Sequence, residues 1–418
     1  MNVLIIGGGG REHALGWKIA QSPKLDKLYF APGNGGTQAL GQNVDIGVQD
    51  FAALAKFAQA NTIDLTIVGP DDPLAAGIVD YFQKRKLAVF GPTKAAAQIE
   101  ASKAFAKGLM RQARVPTAEF QVFDDRTKAL NYIEQAKFPI VVKASGLALG
   151  KGVYICQNLA EAKQAIDDMM VAKLFGEAGD QIVIEDYLDG QEISVHAITD
   201  GTRALMFPFA RDHKPIFDGN KGPNTGGMGV IAPVPAMISE QDAHDQFVQP
   251  IISALKKDHQ PFSGCLYPGL KGSGSDYRVL EYNARFGDPE TEVYMRLLED
   301  DLLELLLECA KGHLTKTSLS WRPGFAISVV LASAGYPGSY KKGLEISGIE
   351  AAEADPDVVV FHAGTKVSDG KLLTNGGRVL NVTAVGVTLE QARTTAYQAV
   401  EKIDFSGKQF RSDIGAGL

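Results

Sequence analysis

The stretch "VVKASGLALGKGV", residues 141–153, decides how the rest of this sequence is interpreted. It begins as an apolar strand, breaks into a loop of glycine and small residues, and resumes as a strand at "VYIC". Such a loop can bring backbone N–H groups against an anion, most simply a phosphate. We therefore expect Gly146, Gly150 and Gly152 to lie against a phosphate group. Lys143 ends the first strand, where a fixed ammonium can also meet phosphate oxygens.

Composition limits what this protein can do. The 418 residues are enough for about three domains, and a net charge of −7 does not suggest a nucleic-acid partner. Its three cysteines lie far apart, so neither a disulfide framework nor a zinc site is expected. The sequence shows no basic leader and no run of about 18 apolar residues. We expect a cytoplasmic monomer that acts on small molecules, with no membrane or nucleic-acid partner.

The first hundred residues alternate short apolar strands with amphipathic helical patterns. The expected strands are "VLII" (3–6), "KLYFA" (27–31), "IDLTIVG" (63–69) and "LAVFG" (87–91). This alternation predicts an open parallel sheet with helices on both faces. Each strand runs into a turn rich in glycine or proline, and ligands bind where such turns gather at the carboxyl ends of the strands.

Beyond residue 101 the pattern changes to mixed helices and strands, which predicts two further units. The expected elements are helices over 102–117, 159–171 and 239–257, a strand over 277–290 and a Leu-rich helix over 293–311. Residues 207–237 are rich in glycine and proline, and so long an irregular stretch is typically functional. A last unit of strands and turns closes with a helix over 389–403. We divide the chain into 1–101, 102–320 and 321–418, with a lid subdomain at about 117–190 in the second unit.

The N-terminal turn "GGGG" (7–10) lies between an expected strand and an expected helix. Free N–H groups and the helix dipole attract anions there, so we expect Gly9 and Gly10 to contact a phosphate. The Arg11 guanidinium could donate two parallel hydrogen bonds to the same phosphate. A dinucleotide fingerprint needs a third glycine, and Glu12 stands at that position, which disfavours a nicotinamide site. A tight turn without any ligand remains an alternative.

Two acidic motifs follow the central loop at informative spacings. "EDYLDGQE" (185–192) places Glu185 and Glu192 on either side of a turn whose main chain could meet an adenine edge. In "LEYN" (280–283), Glu281 and Asn283 alternate along a strand and project from one face. A carboxylate beside an amide oxygen suits Mg²⁺, which takes few protein ligands and fills its shell with phosphate and water oxygens. Each acid taken singly could instead be a solvated surface charge.

In this order, the motifs resemble those of the ATP-grasp superfamily, and within it the glycinamide ribonucleotide synthetase (phosphoribosylamine–glycine ligase) family. The segments that carry the resemblance are "GGGGREHA" (7–14), "APGNGGT" (31–37), "ASKAF" (101–105), "KASGLALGKGV" (143–153), "ARDHK" (210–214), "GPNTGGMG" (222–229) and "RFGDPETE" (285–292). The resemblance implies an α/β protein with three parts. These are an N-terminal open parallel-sheet (pre-ATP-grasp) domain, an ATP-grasp domain of two α+β subdomains and a small C-terminal mixed-sheet domain.

The resemblance also implies an activity and its cofactors. Members of the family join 5-phosphoribosylamine to glycine, consuming ATP and making ADP, phosphate and glycinamide ribonucleotide in purine biosynthesis. The implied metal is Mg²⁺ or Mn²⁺, and ATP is a co-substrate. Another ATP-grasp carboxylate–amine ligase is the alternative within the superfamily.

The resemblance assigns roles to individual residues. Lys103 and Lys143 match the family's phosphate-contacting lysines. The segment from Glu185 to Leu188 matches its adenine hinge, and Glu192 matches its ribose contact. Glu281 and Asn283 match its metal ligands. Several positions depart from the family's usual residues, and none of them has a role assigned here: Ser145, Leu149, Asp186, Gln191 and Asn220.

The implied chemistry needs no nucleophilic side chain. ATP converts the glycine carboxylate into glycyl phosphate, which the amine of phosphoribosylamine then attacks, so the protein must align groups and neutralise charge. Arg285 is the candidate for the glycine carboxylate and Asp212 for its ammonium, and with Lys143 they are the candidate catalytic residues. The N-terminal loops, with Arg11 and Asn34, are the candidates for the 5-phosphate.

The alternative functions each require sequence motifs that differ from those found here. A dinucleotide-dependent oxidoreductase needs the fingerprint that is incomplete here. An ATP-grasp carboxylase, or a ligase for another amine, would lack "GPNTGGMG" (222–229), and a nucleotide sensor would be expected to lose the metal pair. Local ion pairs, Arg211 with Asp212 and Arg285 with Asp288, remain structural alternatives to glycine binding.

Overall fold

The N-terminal unit is a five-stranded parallel sheet with helices on both faces. The protein is described here by a computed structural model that covers residues 1–148 and 151–417. The elements of this unit are β1 (Asn2–Gly7), α1 (Gly10–Ile19), β2 (Lys27–Pro32), β3 (Gln42–Asn43), α2 (Phe51–Ala60), β4 (Leu65–Val68), α3 (Asp71–Ala76), α4 (Ile78–Gln83) and β5 (Val89–Phe90). The strand order is β3-β2-β1-β4-β5, and every pairing is parallel. All four predicted strands are present.

The central unit begins with two helices and a small antiparallel sheet. Its first elements are α5 (Gln98–Ala101), α6 (Lys103–Ala113), β6 (Phe120–Phe123), α7 (Arg126–Ile133), β7 (Ile140–Ala144), β8 (Val153–Cys156), α8 (Leu159–Met170) and β9 (Ile182–Asp186). The strands pair in the order β6-β9-β7-β8. The Ser102 hydroxyl caps α6 by accepting from Phe105 N at 3.2 Å, and Arg114 ends the helix in the left-handed conformation.

A second antiparallel sheet follows in the central unit, together with the segment that joins the C-terminal unit. The elements are β10 (Gln191–Ser194), β11 (Ala197–Asp200), β12 (Ala204–Met206), β13 (Arg211–Asp212), β14 (Pro215–Phe217), β15 (Lys221–Asn224), β16 (Gly229–Ala232), α9 (Glu240–Ala243), α10 (Gln249–Lys257), β17 (Ser263–Ser273), β18 (Asp276–Asn283), α11 (Glu290–Leu297) and α12 (Leu302–Ala310). The order is β10-β17-β11-β12, with β18 paired to β17. A π-helical turn, His244–Val248, joins α9 to α10.

The C-terminal unit completes a sheet that begins in the central part of the chain. Its elements are β19 (Phe325–Ser333), α13 (Ile349–Ala352), β20 (Val358–His362), β21 (Thr365–Ser368), β22 (Lys371–Thr374), β23 (Arg378–Gly386), α14 (Leu389–Lys402) and β24 (Lys408–Gln409). The order β13-β16-β19-β23-β20 brings in two strands from the Gly/Pro-rich stretch 207–237, and β24 pairs with β19. The described pairings are all antiparallel, which differs in detail from the mixed sheet that we expected.

The α/β fold class is confirmed, and two predicted elements are corrected. The strand predicted over 277–290 ends at Asn283, and the chain then turns. The single Leu-rich helix predicted over 293–311 is two helices, because Asp301 Oδ1 accepts from Leu303 N at 2.9 Å and so caps α12 as a new helix. Within residues 1–148 and 151–417, no helix has the length and apolar character to cross a bilayer.

Candidate active site

A cavity of about 440 Å³ lies where the three units meet. Its apolar lining includes Met110, Val141, Ile155, Leu188 and Leu280. The charged side chains that line it include Arg11, Asp71, Glu100, Lys103, Lys143, Glu185, Asp212, Lys214, Glu281, Arg285, Asp288, Glu290 and Arg378. A cavity with both apolar and charged lining suits a molecule that carries a flat base and phosphates.

Two of the lysines in the cavity are held by one buried carboxylate. Glu185, on β9, has 2% of its side chain exposed and forms an ion pair with Lys107 Nζ at 2.5 Å and another with Lys143. The Lys143 ammonium also donates to the Leu280 carbonyl at 3.3 Å. Burial raises the pKa of Glu185, but the two lysines outweigh it and hold the pKa below its ordinary value. Since this carboxylate is committed to the lysines, any contact of Glu185 with an adenine must come from its main chain.

Lys103 stands at the start of α6 and meets the loop that follows β7. Its backbone N–H donates to the Ser145 carbonyl at 2.8 Å, and its ammonium lies 3.4 Å from the Gly146 carbonyl. The Ser145 hydroxyl accepts from Ala104 N at 3.1 Å. Burial lowers the pKa of Lys103, while Glu281 acts in the opposite direction. The departure from the family pattern at Ser145 therefore contributes a contact that fastens the loop to the helix.

The glycines of the loop have different surroundings. A Cβ on Gly146 would lie 2.7 Å from the Ala178 Cα, so this glycine is required by close packing. Gly152 lines the cavity, and its carbonyl accepts from Ala144 N at 2.8 Å. Gly150, which we also expected to contact phosphate, lies outside the described residues, as does Leu149. Of the described loop glycines, Gly152 is the one that faces the cavity.

Glu281 and Asn283 line the cavity from one face of β18, as their alternation predicts. Burial raises the pKa of Glu281, but Lys214, Lys103 and other nearby cations keep it below the ordinary value. An ionised carboxylate beside an amide oxygen is a suitable donor set for a hard divalent cation. The described residues contain no cluster of three or more His, Cys, Asp or Glu side chains arranged to bind a metal. The two residues therefore fit a metal that takes most of its ligands from phosphate and water.

Arg285 and Asp212 each present an unpartnered buried atom. Arg285 Nε and Asp212 Oδ1 have no hydrogen-bond partner among the described residues. Burial raises the pKa of Asp212 well above its ordinary value, and the neighbouring Glu290 adds to the effect. Burying a polar atom without a partner is costly, so such atoms point to a ligand that would satisfy them.

Neither of the two alternative ion pairs, Arg285 with Asp288 and Arg211 with Asp212, is present among the described residues. Arg285 Nη2 pairs with Glu100 Oε1 at 2.9 Å, whereas Asp288 pairs with Arg378 at 3.0 Å. Arg211 donates to Gln191 Oε1 at 2.7 Å and forms no described ion pair with Asp212. The local pairs that could have explained Arg285 and Asp212 without a ligand are therefore absent from the described residues.

Leu188 and Glu192 both line the cavity, Leu188 with an apolar side chain and Glu192 with a carboxylate. Glu192 lies 3.5 Å from Lys214 and 3.4 Å from Lys271. Burial raises the pKa of Glu192, but these lysines outweigh it and lower the pKa overall. The carboxylate therefore carries a charge and remains partly exposed, as an acceptor for ribose hydroxyls requires.

The N-terminal glycine turn differs from our expectation. Gly9 N donates to Glu12 Oε2 at 2.6 Å, and Arg11 N lies 3.3 Å from Asp288 Oδ2, so carboxylates occupy the helix N-terminus where we expected phosphate. A Cβ on Gly10 would lie 2.3 Å from Glu292 Oε1, which shows that this glycine faces the protein interior. Arg11 lines the cavity and donates to Glu12 Oε1 at 2.6 Å.

The Asn34 side-chain amide is bonded to main-chain groups at both of its ends. Its amide donates to the His362 carbonyl at 2.7 Å and to the Gly8 carbonyl at 3.1 Å. Its Oδ1 accepts from Gly36 N at 2.9 Å and Thr37 N at 3.1 Å. Both ends of the amide hold loops together, and contact of Asn34 with the 5-phosphate stays a prediction. Only Arg11, of the four residues expected at the 5-phosphate, lines the cavity.

Sequence comparison is consistent with this geometry along almost the whole chain. Models of phosphoribosylglycinamide synthetase match the N domain over residues 1–100, the ATP-grasp (A) domain over 101–291 and the C domain over 326–417. The chain belongs to the phosphoribosylglycinamide synthetase family. The resemblance seen in the motifs is therefore confirmed.

Individual relatives agree with the family. A phosphoribosylamine–glycine ligase of Caldanaerobacter subterraneus subsp. tengcongensis is 45% identical, with 100% of both chains covered. One from Yersinia pestis is 47% identical over 99% of this chain and 98% of its own length. The crystal structure of the Thermotoga maritima phosphoribosylamine–glycine ligase has a TM-score of 0.87 at 35% identity, covering 99% of this chain and 100% of that one. A biotin carboxylase domain from Hydrogenobacter thermophilus, with a TM-score of 0.73 at 15% identity over 98% and 91% of the two chains, shares the fold alone.

The structure adds residues to the site that the sequence motifs did not select. Glu100 pairs with Arg285, and Lys107 pairs with Glu185. Glu290 accepts from Tyr267 Oη at 2.6 Å in the cavity wall. Only Lys107 had an available signal, because it lies four residues after Lys103 and so on the same helix face. Glu100 adjoins the segment 101–105 and Glu290 lies within 285–292, but no local pattern indicates their contacts with Arg285 and Tyr267.

Proposed function

We propose that this chain ligates 5-phosphoribosylamine and glycine to glycinamide ribonucleotide, with conversion of ATP to ADP and phosphate. The observation that carries the proposal is the pair of unpartnered buried atoms, Arg285 Nε and Asp212 Oδ1, in the same cavity as Lys103 and Lys143. A donor for a carboxylate and an acceptor for an ammonium match the two ends of a small amino acid. Family membership supports the same activity.

The reaction can be followed from the residues of the chain. The apolar residues of the cavity contact the adenine, Glu192 binds the ribose, and Lys103 and Lys143 neutralise phosphate charge. Arg285 turns the glycine carboxylate towards the γ-phosphoryl group, and transfer releases ADP and leaves glycyl phosphate. The ribosyl amine then attacks the carbonyl carbon, phosphate departs, and the amine loses a proton. Alignment and charge neutralisation supply the catalysis.

Glu281 and Asn283 are the residues that would hold the divalent metal, which we propose to be Mg²⁺ or Mn²⁺. When bound, such an ion would reduce the charge on the transferring phosphoryl group. The phosphoribosylamine is proposed to bind near Arg11, Asp71 and Asp288, which line the same cavity. Its 5-phosphate is proposed to meet Arg11.

A dinucleotide-dependent oxidoreductase does not fit the N-terminal loop. The Glu12 carboxylate fills the space beside this loop, since a Cβ on Gly7 would lie 2.5 Å from Glu12 Cδ. A carboxylate in that position repels a pyrophosphate and excludes it sterically. The oxidoreductase therefore lacks both its fingerprint and the space for its cofactor.

The deciding experiment measures ADP release in the presence of Mg-ATP with glycine alone, phosphoribosylamine alone, and both together. We expect strong turnover only when both substrates are present, because the acyl phosphate needs an amine acceptor to complete the reaction. Glycine replaced by β-alanine serves as a matched control, since its ends are further apart. Equal ADP release without glycine or without the amine would contradict the proposal.

A further inference from the structure

The turn at residues 225–227 is held by side chains from the C-terminal unit. Gly226 N donates to the Tyr336 hydroxyl at 3.1 Å. The Gly226 carbonyl accepts from Arg378 Nη1 at 2.5 Å. One residue of the turn therefore has both of its main-chain polar groups bound by a distant part of the chain. Thr225 and Gly226 line the cavity, so this contact fixes part of its wall.

Arg378 connects the turn to a second loop of the cavity. Its Nη1 also donates to the Asp288 carbonyl at 2.8 Å, and its Nη2 lies 3.0 Å from Asp288 Oδ1. The Tyr336 ring packs against Gly377, the residue before Arg378, because a Cβ on Gly377 would lie 2.2 Å from the ring. A planar guanidinium that binds three oxygens at once is fixed in orientation, and a lysine could not reproduce that geometry.

The turn in its present position presses against Asp212. Gly227 has φ +113°, and a Cβ there would lie 2.7 Å from Asp212 Oδ1. This is the same oxygen that lacks a hydrogen-bond partner among the described residues. The position of the turn therefore determines how much space remains around the carboxylate.

We infer that Tyr336 and Arg378 are positioning residues for glycine, which hold the 225–227 turn against Asp212 and so shape the ammonium end of the amino-acid site. The inference rests on the proposed function, since it takes glycine as the ligand of Asp212. The nucleotide lysines are fixed by separate contacts, Lys143 with Glu185 and Lys103 with Gly146. The C-terminal unit thus controls recognition of glycine independently of ATP.

The test compares Tyr336→Phe with Tyr340→Phe. The first substitution removes the acceptor of Gly226 N and keeps the ring, whereas the Tyr340 hydroxyl makes no hydrogen bond within the described residues. Because one partly exposed hydrogen bond is lost, we expect the glycine KM of Tyr336→Phe to rise about 3- to 10-fold. We expect the ATP KM and kcat to stay within about twofold of wild type, and Tyr340→Phe to match wild type throughout. Arg378→Lys should raise the glycine KM about 10-fold or more.

The outcomes separate this inference from the proposed function. Turnover of the wild-type enzyme without glycine would contradict the proposed function. Glycine-dependent wild-type enzyme, with an unchanged glycine KM in Tyr336→Phe, would overturn the positioning role alone. Equal rises in the glycine and ATP KM values would also overturn it, since they would show a general disturbance of the site. Should Arg378→Lys fail to fold, Tyr336→Phe still decides the question.

Discussion

Several charged side chains in the cavity are paired with side chains of opposite charge. Glu185 neutralises Lys107 and Lys143, and Glu100 neutralises Arg285. A buried charge without a partner is strongly destabilising, so pairing is the ordinary outcome. The unpartnered oxygen of Asp212 is therefore the position where an ammonium would be most favourably bound.

Substitution of Glu281 tests the assignment of this residue as a metal ligand. Glu281→Gln keeps the shape of the side chain but removes its charge, which weakens a site that has few protein ligands. We expect kcat to fall by about 10²–10³ and the Mg²⁺ requirement to rise, by analogy with the loss of one preorganised electrostatic contact. The measurement is turnover against Mg²⁺ concentration at saturating ATP.

The control for this prediction is Asp276→Asn on the same strand. Asp276 has 72% of its side chain exposed and does not line the cavity, so this variant should retain wild-type metal dependence. Asn283→Asp should be milder than Glu281→Gln and should alter the preference between Mg²⁺ and Mn²⁺, because it keeps an oxygen and adds charge. A folded Glu281→Gln enzyme that is fully active at low Mg²⁺ would refute the metal assignment.

At the level of elements, α6 and the loop after β7 act as a pair. The helix begins at the Ser102 cap, and its first residue meets the Ser145 and Gly146 carbonyls. The loop is also tied to the segment around Ala178, since Gly146 N donates to the Ala178 carbonyl at 3.1 Å. The position of the Lys103 ammonium therefore depends on how closely the loop packs.

Gly146→Ala tests this dependence. A methyl group would lie 2.7 Å from the Ala178 Cα, so the loop must shift away from that segment and from Lys103. We expect the ATP KM to rise about 3- to 10-fold, which corresponds to about 1 kcal/mol of lost binding, with little change in the glycine KM.

Gly108→Ala is the matched control, because Gly108 is exposed on α6 and a Cβ there meets nothing within 4 Å. Alanine is the better helix former, so this variant should be more stable by about 0.5–1 kcal/mol and bind ATP normally. Steady-state kinetics and urea unfolding measure the two effects. An unchanged ATP KM in Gly146→Ala would show that the loop does not position Lys103.

At the scale of the whole molecule, the N-terminal and C-terminal units meet through two buried histidines. His362 N donates to His13 Nδ1 at 2.8 Å, and Asn34 bonds the His362 carbonyl. Burial lowers the pKa of His13 to about 3, with a contribution from His362, and burial lowers the pKa of His362 to about 4. Both side chains are therefore neutral in the folded protein at physiological pH.

Because these two histidines are buried and neutral, we expect the free energy of unfolding to fall in mild acid. The folded pKa values lie below the ordinary value of 6.5, so the unfolded chain binds protons first as the pH falls. The stabilisation is complete above about pH 6.5 and is lost as the pH approaches 4 to 3, at up to about 1.4 kcal/mol per pH unit for each histidine. Urea unfolding at several pH values would show the decline in the free energy of unfolding.

His13→Asn should flatten that decline. Asparagine keeps an acceptor for His362 N but does not titrate, so the variant should be less stable at neutral pH and less sensitive to acid. His313→Asn, at an exposed position, should follow the wild-type curve. A His13→Asn curve parallel to wild type would show that the junction is not the acid-sensitive element.

The sequence alone was enough to predict the N-terminal sheet, the glycine loop, the placement of Glu281 and Asn283 on one face of a strand, and the family. These features depend on local patterns: alternation of apolar segments, glycine where backbones pack closely, and two residues two positions apart on one strand. Arg285, Asp212 and Lys143 were also reached, because their motifs occur together along the chain.

Tertiary structure alone decided which charges meet. The pairing of Glu100 with Arg285, and of Asp288 with Arg378, joins residues 185 and 90 positions apart, and no local pattern encodes such distances. The same holds for β13 and β16, which lie in the Gly/Pro-rich stretch yet complete the C-terminal sheet. Glu12 and Asn34 lie in the two N-terminal glycine-rich turns, and in the folded chain their side chains bond main-chain groups of the protein. Buried polar groups take the partners that the folded chain brings nearest, and only the fold specifies those partners.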